Sequence, residues 1–213
     1  MRYEPVDVAV TFDGLELPGL LSVPSDASGL VVFAHGSGSS RLSPRNNAVA
    51  ARLNERGLAT LLFDLLTPLE SHDRANVFDI ELLASRLVGA TSWVTGRDDV
   101  GMMPLGLFGA STGAAAALVA AASVPERISA VVSRGGRPDL AGDALGSVRA
   151  PTLLIVGGND VEVLELNRWA LSRMVGPHRL VVVPGAGHLF EEPGTLEQVA
   201  ELAGGWFVEH LQR

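Results

Sequence analysis

A serine set between two glycines, Gly109-Ala110-Ser111-Thr112-Gly113, separates a continuous apolar run, Leu105 to Phe108, from an alanine-rich run, Ala114 to Ala122. A short apolar run that feeds a small-residue turn and then a helix-forming stretch reads as strand, sharp turn, helix. That layout restricts the fold. The strand must be buried on both faces, and the helix must cross back close to it. Glycine is required at 109 and 113 because a Cβ there would meet the crossing backbone. Ser111 is then lifted above the sheet edge, and the first N–H groups of the new helix point at the same place.

The same alternation continues along the chain. Val6–Phe12 alternates apolar and polar residues, Asp13-Gly14 is a hairpin signal, and Leu15–Val23 answers it. Leu30–Ala34, Leu58–Phe63, Ile128–Ser133, Thr152–Gly157 and Leu180–Pro184 are further strands. Between them lie helices: one opens at Ser43-Pro44 and stops at Arg56-Gly57, one is a long amphipathic stretch from Ile80 to Val94, and two more are Val161–Met174 and Thr195–Leu211. Strand and helix in alternation predict a mostly parallel, doubly wound α/β sheet with an N-terminal antiparallel hairpin. In such sheets ligands sit beyond the carboxyl ends of the strands.

The 213 residues, 47% of them hydrophobic, suffice for one core, so a single domain over 1–213 is expected. A net charge of −8 argues against nucleic acid as a partner. The absence of cysteine excludes disulfides, thiolate metal sites and a cysteine nucleophile. Met1-Arg2-Tyr3-Glu4-Pro5 has no apolar leader character, and no apolar run reaches the ~20 residues of a membrane span. The expectation is a cytoplasmic protein with no membrane partner, no cofactor and no metal. Oligomeric state leaves no mark in the sequence.

Three residues follow strand ends in a chemically useful order. Ser111 follows one, Asp160 follows Thr152–Val156 within Gly157-Gly158-Asn159-Asp160, and His188 follows Leu180–Val183 within Gly185-Ala186-Gly187-His188. A serine hydroxyl is too weak an acid to attack an ester unaided. An imidazole takes its proton, and a carboxylate fixes the imidazole tautomer and stabilises the imidazolium. Ser111, His188 and Asp160 are the predicted triad. Asp160 could also cap the helix opening at Val161. His72, His178 and His210 follow no strand end, and Asp64 and Asp139 are rival acids. Directly after Leu30–Ala34 stands His35-Gly36-Ser37-Gly38-Ser39. Backbone N–H groups of Ser37 and Thr112 are the predicted oxyanion donors. Arg41, Arg45, Arg74, Arg134 and Arg137 follow these same strands. Arg41, Arg74, Arg134 and Arg137 are candidates to clamp an anionic substrate group, unless they pair with Asp64, Asp73, Asp79 and Asp139 as loop scaffolding.

With these motifs in place, the chain resembles the α/β-hydrolase superfamily over essentially its whole length, and within it the dienelactone hydrolase family. The resemblance is carried by His35-Gly36-Ser37-Gly38, Gly109-Ala110-Ser111-Thr112-Gly113, Gly158-Asn159-Asp160 and Gly187-His188. It implies an α/β-hydrolase fold and a serine hydrolase cleaving a small ester through an acyl-enzyme. A silent fold used for binding, or an acyltransferase or perhydrolase using the same triad, are the alternatives. Dienelactone hydrolase itself carries cysteine where this chain has Ser111. Related bacterial domains are fused to a phosphoribosyltransferase, and no such second domain is expected here. Only Arg134 to Pro151 separates two strands where many relatives insert a cap, so no lid domain and an open site are expected.

Overall fold

The computed structural model describes residues 4–211. Eight strands form one sheet in the order β1-β2-β4-β3-β5-β6-β7-β8. β1 (Val6–Phe12) and β2 (Leu15–Ser22) are the antiparallel hairpin, with Phe12 opposite Leu15. Its turn places both Asp13 and Gly14 at positive φ, the conformation that matches the twist of the flanking strands. β2 is also antiparallel to β4 (Leu58–Phe63). All later pairings are parallel: β3 (Gly29–Ala34), β5 (Leu105–Ala110), β6 (Ile128–Arg134), β7 (Thr152–Gly157) and β8 (His178–Val183). β3, β4, β5 and β7 are buried at every position, which explains their continuous apolar runs.

Each face of the sheet has its own core. On one, α4 (Ile80–Thr95) and α5 (Thr112–Ser123) lay Leu83, Leu87, Val94 and Leu118 over Val10, Leu30, Val32 and Leu61. On the other, α1 (Pro44–Glu55) and α7 (Thr195–Leu211) cover Val31, Phe33, Phe108, Val132 and Ile155 with Val49, Leu53, Val199 and Phe207. α6 (Val161–Leu171) contributes Val163 and Leu164 to a small cluster with Val156. Ser43 caps α1 as the sequence predicts, accepting the N–H of Asn46.

Several details go beyond the sequence reading or depart from it. Two short helices, α2 (Pro68–Ser71) and α3 (Arg74–Val77), fill the connection between β4 and α4. Pro138–Ser147 forms 3₁₀ turns kinked at Gly142. β8 starts at His178, ahead of its apolar stretch, because an exposed edge strand tolerates polar residues. The chain runs from β3 outward to β4 and then returns past β3 to β5. The β3–β5 boundary is therefore the switch point where the connections diverge. No helix among the described residues is long and apolar enough to cross a membrane.

Candidate functional site

The loop after β3 and the turn after β5 meet at that switch point. Ser111 adopts φ 52° and ψ −122°, a strained conformation for an L-residue with a side chain. The turn is locked by its surroundings. A Cβ on Gly109 would lie 2.6 Å from Gly113 O, and one on Gly113 would lie 2.5 Å from His35 O and closer still to Ala34 O. The Ser111 N–H donates to Arg134 O at 3.3 Å, and the Ser111 carbonyl accepts from Arg137 N at 3.1 Å. The peptide of the apex is thus held by the turn after β6.

The loops after β7 and β8 are laced together. Gly158 N–H donates to Val183 O at 2.8 Å, Asn159 N–H to Ala186 O at 2.9 Å, and the Asn159 side-chain amide to Gly185 O at 2.8 Å. This lacing brings Asp160 to His188, and His188 Nδ1 donates to Asp160 Oδ2 at 2.6 Å. Asp160 stands at the N-cap position of α6 but makes no capping hydrogen bond. Phe190, at φ 54° and almost fully buried, anchors the His188 loop in the core on the α1 side. His188 lies against Gly135, where a Cβ would come within 2.9 Å of His188 O. Gly135 directly follows the residue whose carbonyl holds Ser111. Among the described residues no hydrogen bond joins the Ser111 hydroxyl to His188. The rival acids are engaged elsewhere: Asp64 with Arg41 at 2.6 Å, and Asp139 with Arg137 through two bonds of 2.9 and 2.8 Å.

Gly36 abuts the serine, since a Cβ there would sit 3.0 Å from Ser111 Cβ. The Ser37 N–H donates to the Thr112 hydroxyl at 2.9 Å. His35 ties the loop to the end of β4. Its Nε2 accepts the Leu65 N–H at 3.1 Å and its Nδ1 donates to Gly36 O at 3.0 Å, which fixes the neutral tautomer. Burial pushes the His35 imidazole down from its ordinary range, against the opposing effects of the Gly36 carbonyl and Asp64. Sequence reasoning gave His35 no such role. A cavity of about 290 Å³ lies beside this loop, walled by His35 to Ser40, Leu65, Leu66, Pro68, Val77 and Leu83. Its outer wall is the α2–α3 segment, which the sequence reading left as a loop. The signal was present: Thr67-Pro68-Leu69-Glu70 is a capping box with proline in the first turn, and both reciprocal bonds form.

No family model matches the chain. A crystal structure of dienelactone hydrolase from Anabaena variabilis is 55% identical, covers 100% of both chains and superposes with a TM-score of 0.96. The chain belongs to the dienelactone hydrolase-like family of α/β hydrolases. Est1E from Butyrivibrio proteoclasticus shares the fold at a TM-score of 0.80, with 19% identity over 97% of this chain and 98% of its own. Two Mycobacterium tuberculosis proteins carrying the provisional name phosphoribosyl transferase are 63% identical over 205 residues, 96% of this chain. The chain spans about half the length of these two curated relatives, 46% of each.

In this α/β hydrolase most of the arginines flanking the edge are already paired. Arg41 is bound by Asp64 through both its backbone N–H and its guanidinium. Arg137 is held by Asp139, and Arg74 lies 5.5 Å from the Phe78 ring centroid. Arg45 reaches Glu191 at 2.8 Å. Neither Arg74 nor Arg134 has an acid or a hydrogen-bond partner for its side chain among the described residues, and the Nη1 of Arg134 is enclosed. Among the described residues no group of three or more His, Asp or Glu side chains is placed to hold a metal ion.

Proposed function

We propose that this protein is a serine hydrolase that cleaves a small carboxylic ester through an acyl-enzyme. The observation that carries the reading is Ser111 held at φ 52° at the switch point of the sheet. Strain of that kind persists only where the surrounding structure enforces it. It lifts the hydroxyl out of the turn, toward incoming substrate.

In the proposed reaction Ser111 Oγ attacks the ester carbonyl and its proton passes to His188 Nε2. Asp160 keeps the other ring nitrogen protonated and stabilises the imidazolium that forms. The tetrahedral oxyanion is met by the Thr112 N–H, at the positive end of α5, and by the Ser37 loop. Collapse releases the alcohol, which takes the proton from His188. Water, activated by the same imidazole, then releases the acid and restores Ser111. The Ser111–His188 hydrogen bond forms as substrate closes the site, a tightening common to such catalytic pairs. The cavity of about 290 Å³ beside the loop suits one short chain of the substrate, which supports a small ester.

An active-site serine probe of the fluorophosphonate type tests this reading. Labelling of the wild type that disappears in Ser111→Ala, together with hydrolysis of short-chain esters, is the expected result. An unlabelled wild-type protein with no turnover would reduce the fold to a binding module. Product appearing on an added alcohol or peroxide in place of water would make it an acyltransferase or perhydrolase.

A further inference from the structure

We infer that Asn167, a residue of α6 outside the proposed triad, is a positioning residue that fixes Ser111 relative to His188 and Asp160 through the Gly136 carbonyl. The inference rests on the serine hydrolase reading and names a residue that sets the geometry of that site.

Ser111 is gripped by residues 134–137. Its N–H donates to Arg134 O, and its carbonyl accepts the Arg137 N–H. Between these two holding points stand Gly135 and Gly136, both buried. Two successive glycines give a segment little stiffness of its own, so it takes its shape from what surrounds it. The Gly135 N–H donates to Ile155 O on β7 at 2.8 Å, and the same residue lies against His188. A Cβ on Gly136 would overlap Ser133 Oγ and the Ala114 side chain, in the first turn of α5. One part of the segment thus touches the nucleophile turn and another touches the base.

The remaining tie is Asn167. Its side-chain amide donates to Gly136 O at 3.0 Å and to Val163 O, one turn back on its own helix, at 2.7 Å. Among the described residues no other side chain hydrogen-bonds to the backbone of 134–137. Two carbonyls facing one group identify it as the N–H2 end of the amide. Asn167 is 0% exposed, and its Oδ1 meets no hydrogen-bond partner among the described residues. Leucine, close to asparagine in volume, would bury no such oxygen, so stability alone does not account for an amide at this place. What the amide adds is a link across the fold. α6 begins directly after Asp160, whose carboxylate accepts from His188. Seven residues further on, about two turns and roughly 10 Å along the axis, the same helix holds the cradle of Ser111. Acid and nucleophile are thereby referred to one helix.

The test uses two variants. Asn167→Leu keeps the volume and removes both bonds. Asn167→Ser has a hydroxyl that still reaches Val163 O on its own helix but not Gly136 O. Kinetics on a short-chain ester are measured well below the melting temperature of each protein. The expected result is a fall in kcat of about 10- to 100-fold in both variants with KM nearly unchanged, because a displaced nucleophile binds ester as before and reacts slowly. Amide hydrogen exchange supplies a readout that needs no activity. The Arg137 N–H, which donates to Ser111 O, should exchange about 10- to 100-fold faster in both variants, while the amides of β5 keep their wild-type protection. Should Asn167→Leu fail to fold, Asn167→Ser gives both readouts. Wild-type kcat in either variant, or unchanged exchange at Arg137, would overturn the inference. Equal acceleration at Arg137 and throughout β5 would make Asn167 a residue of general stability and overturn it as well. A wild type that cleaves no ester and takes no serine probe would instead sink the hydrolase reading, and exchange at Arg137 would still decide whether Asn167 holds the Ser111 turn.

Discussion

The Ser37 N–H donates to the Thr112 hydroxyl at 2.9 Å, joining the loop after β3 to the residue that follows Ser111. Thr112 is 5% exposed, while Ser37 lies at the exposed rim of the loop. The donor that the sequence assigns to an oxyanion is therefore already engaged. The threonine oxygen holds the Ser37 peptide in place, next to Ser111.

Thr112→Val tests this arrangement. It keeps shape and removes the oxygen. A fall in kcat of about 10- to 100-fold with little change in KM is expected, and Thr112→Ser should recover most of it. Steady-state kinetics on a short-chain ester measure both. A faster Thr112→Val enzyme would mean that the hydroxyl blocks the Ser37 donor.

Ser111→Ala should abolish turnover, by roughly 10³-fold or more, while circular dichroism and melting temperature stay close to wild type. The turn is shaped by Gly109 and Gly113, and alanine fits where serine does. Unchanged ester hydrolysis would point to another nucleophile.

Asp160→Asn should lower kcat by about 10³- to 10⁴-fold, since an amide cannot hold the productive tautomer of His188. Stability should change little, because Asp160 makes no capping bond to α6. A large drop in melting temperature with modest kinetic loss would assign this carboxylate a structural part.

Gly113→Ala should destabilise the fold by about 3 kcal/mol or more, as the added methyl meets the backbone carbonyls of Ala34 and His35 with nowhere to go. Urea unfolding gives the value. A midpoint within error of wild type would show that the β3 loop yields.

His35 sets an acid limit on stability. Its pKa in the folded protein lies below its ordinary value, so the unfolded chain binds the proton first. Its contribution is complete above about pH 6.5 and is lost as pH falls through the lowered value. Two carboxylates held low act in a more acidic range: Glu70, where the hydrogen bonds from Thr67 and then Arg86 outweigh burial, and Asp99, hydrogen-bonded by Arg97. Urea midpoints between pH 7.5 and 5 should fall for wild type and vary less for His35→Asn. Parallel pH curves for the two proteins would remove His35 from the account.

Local chemistry made much of the fold legible. Asp13-Gly14, Ser43-Pro44 and Gly57 each dictate a turn or a helix end within a few residues, and the structure places the corresponding elements there. The continuous apolar runs predict strands buried on both faces because no other element so short hides every side chain. Two boundaries were less readable. α6 stops at Leu171 where its apolar pattern runs on to Met174, and β8 begins in the polar pair His178-Arg179 because an edge strand answers to one neighbour only. The strand-end rule brings Asp160 to His188, since the loops after adjacent strands β7 and β8 must touch. Charge pairing was legible only as an alternative, with Asp64 and Asp139 among the acids named as partners for the arginines. That Arg41 meets Asp64 while the Arg134 side chain meets no acid depends on which side chains come together across the fold, and spacing along the chain does not encode that.

The sheet order also sets a timetable. The Ser111 turn is complete once β3, β5 and β6 are paired, but Asp160 and His188 arrive with β7, β8 and their loops, which follow later in the sequence. Under the proposed mechanism the Ser111 turn can therefore close before its acid and base are in place, and esterase activity would report the pairing of β7 with β8.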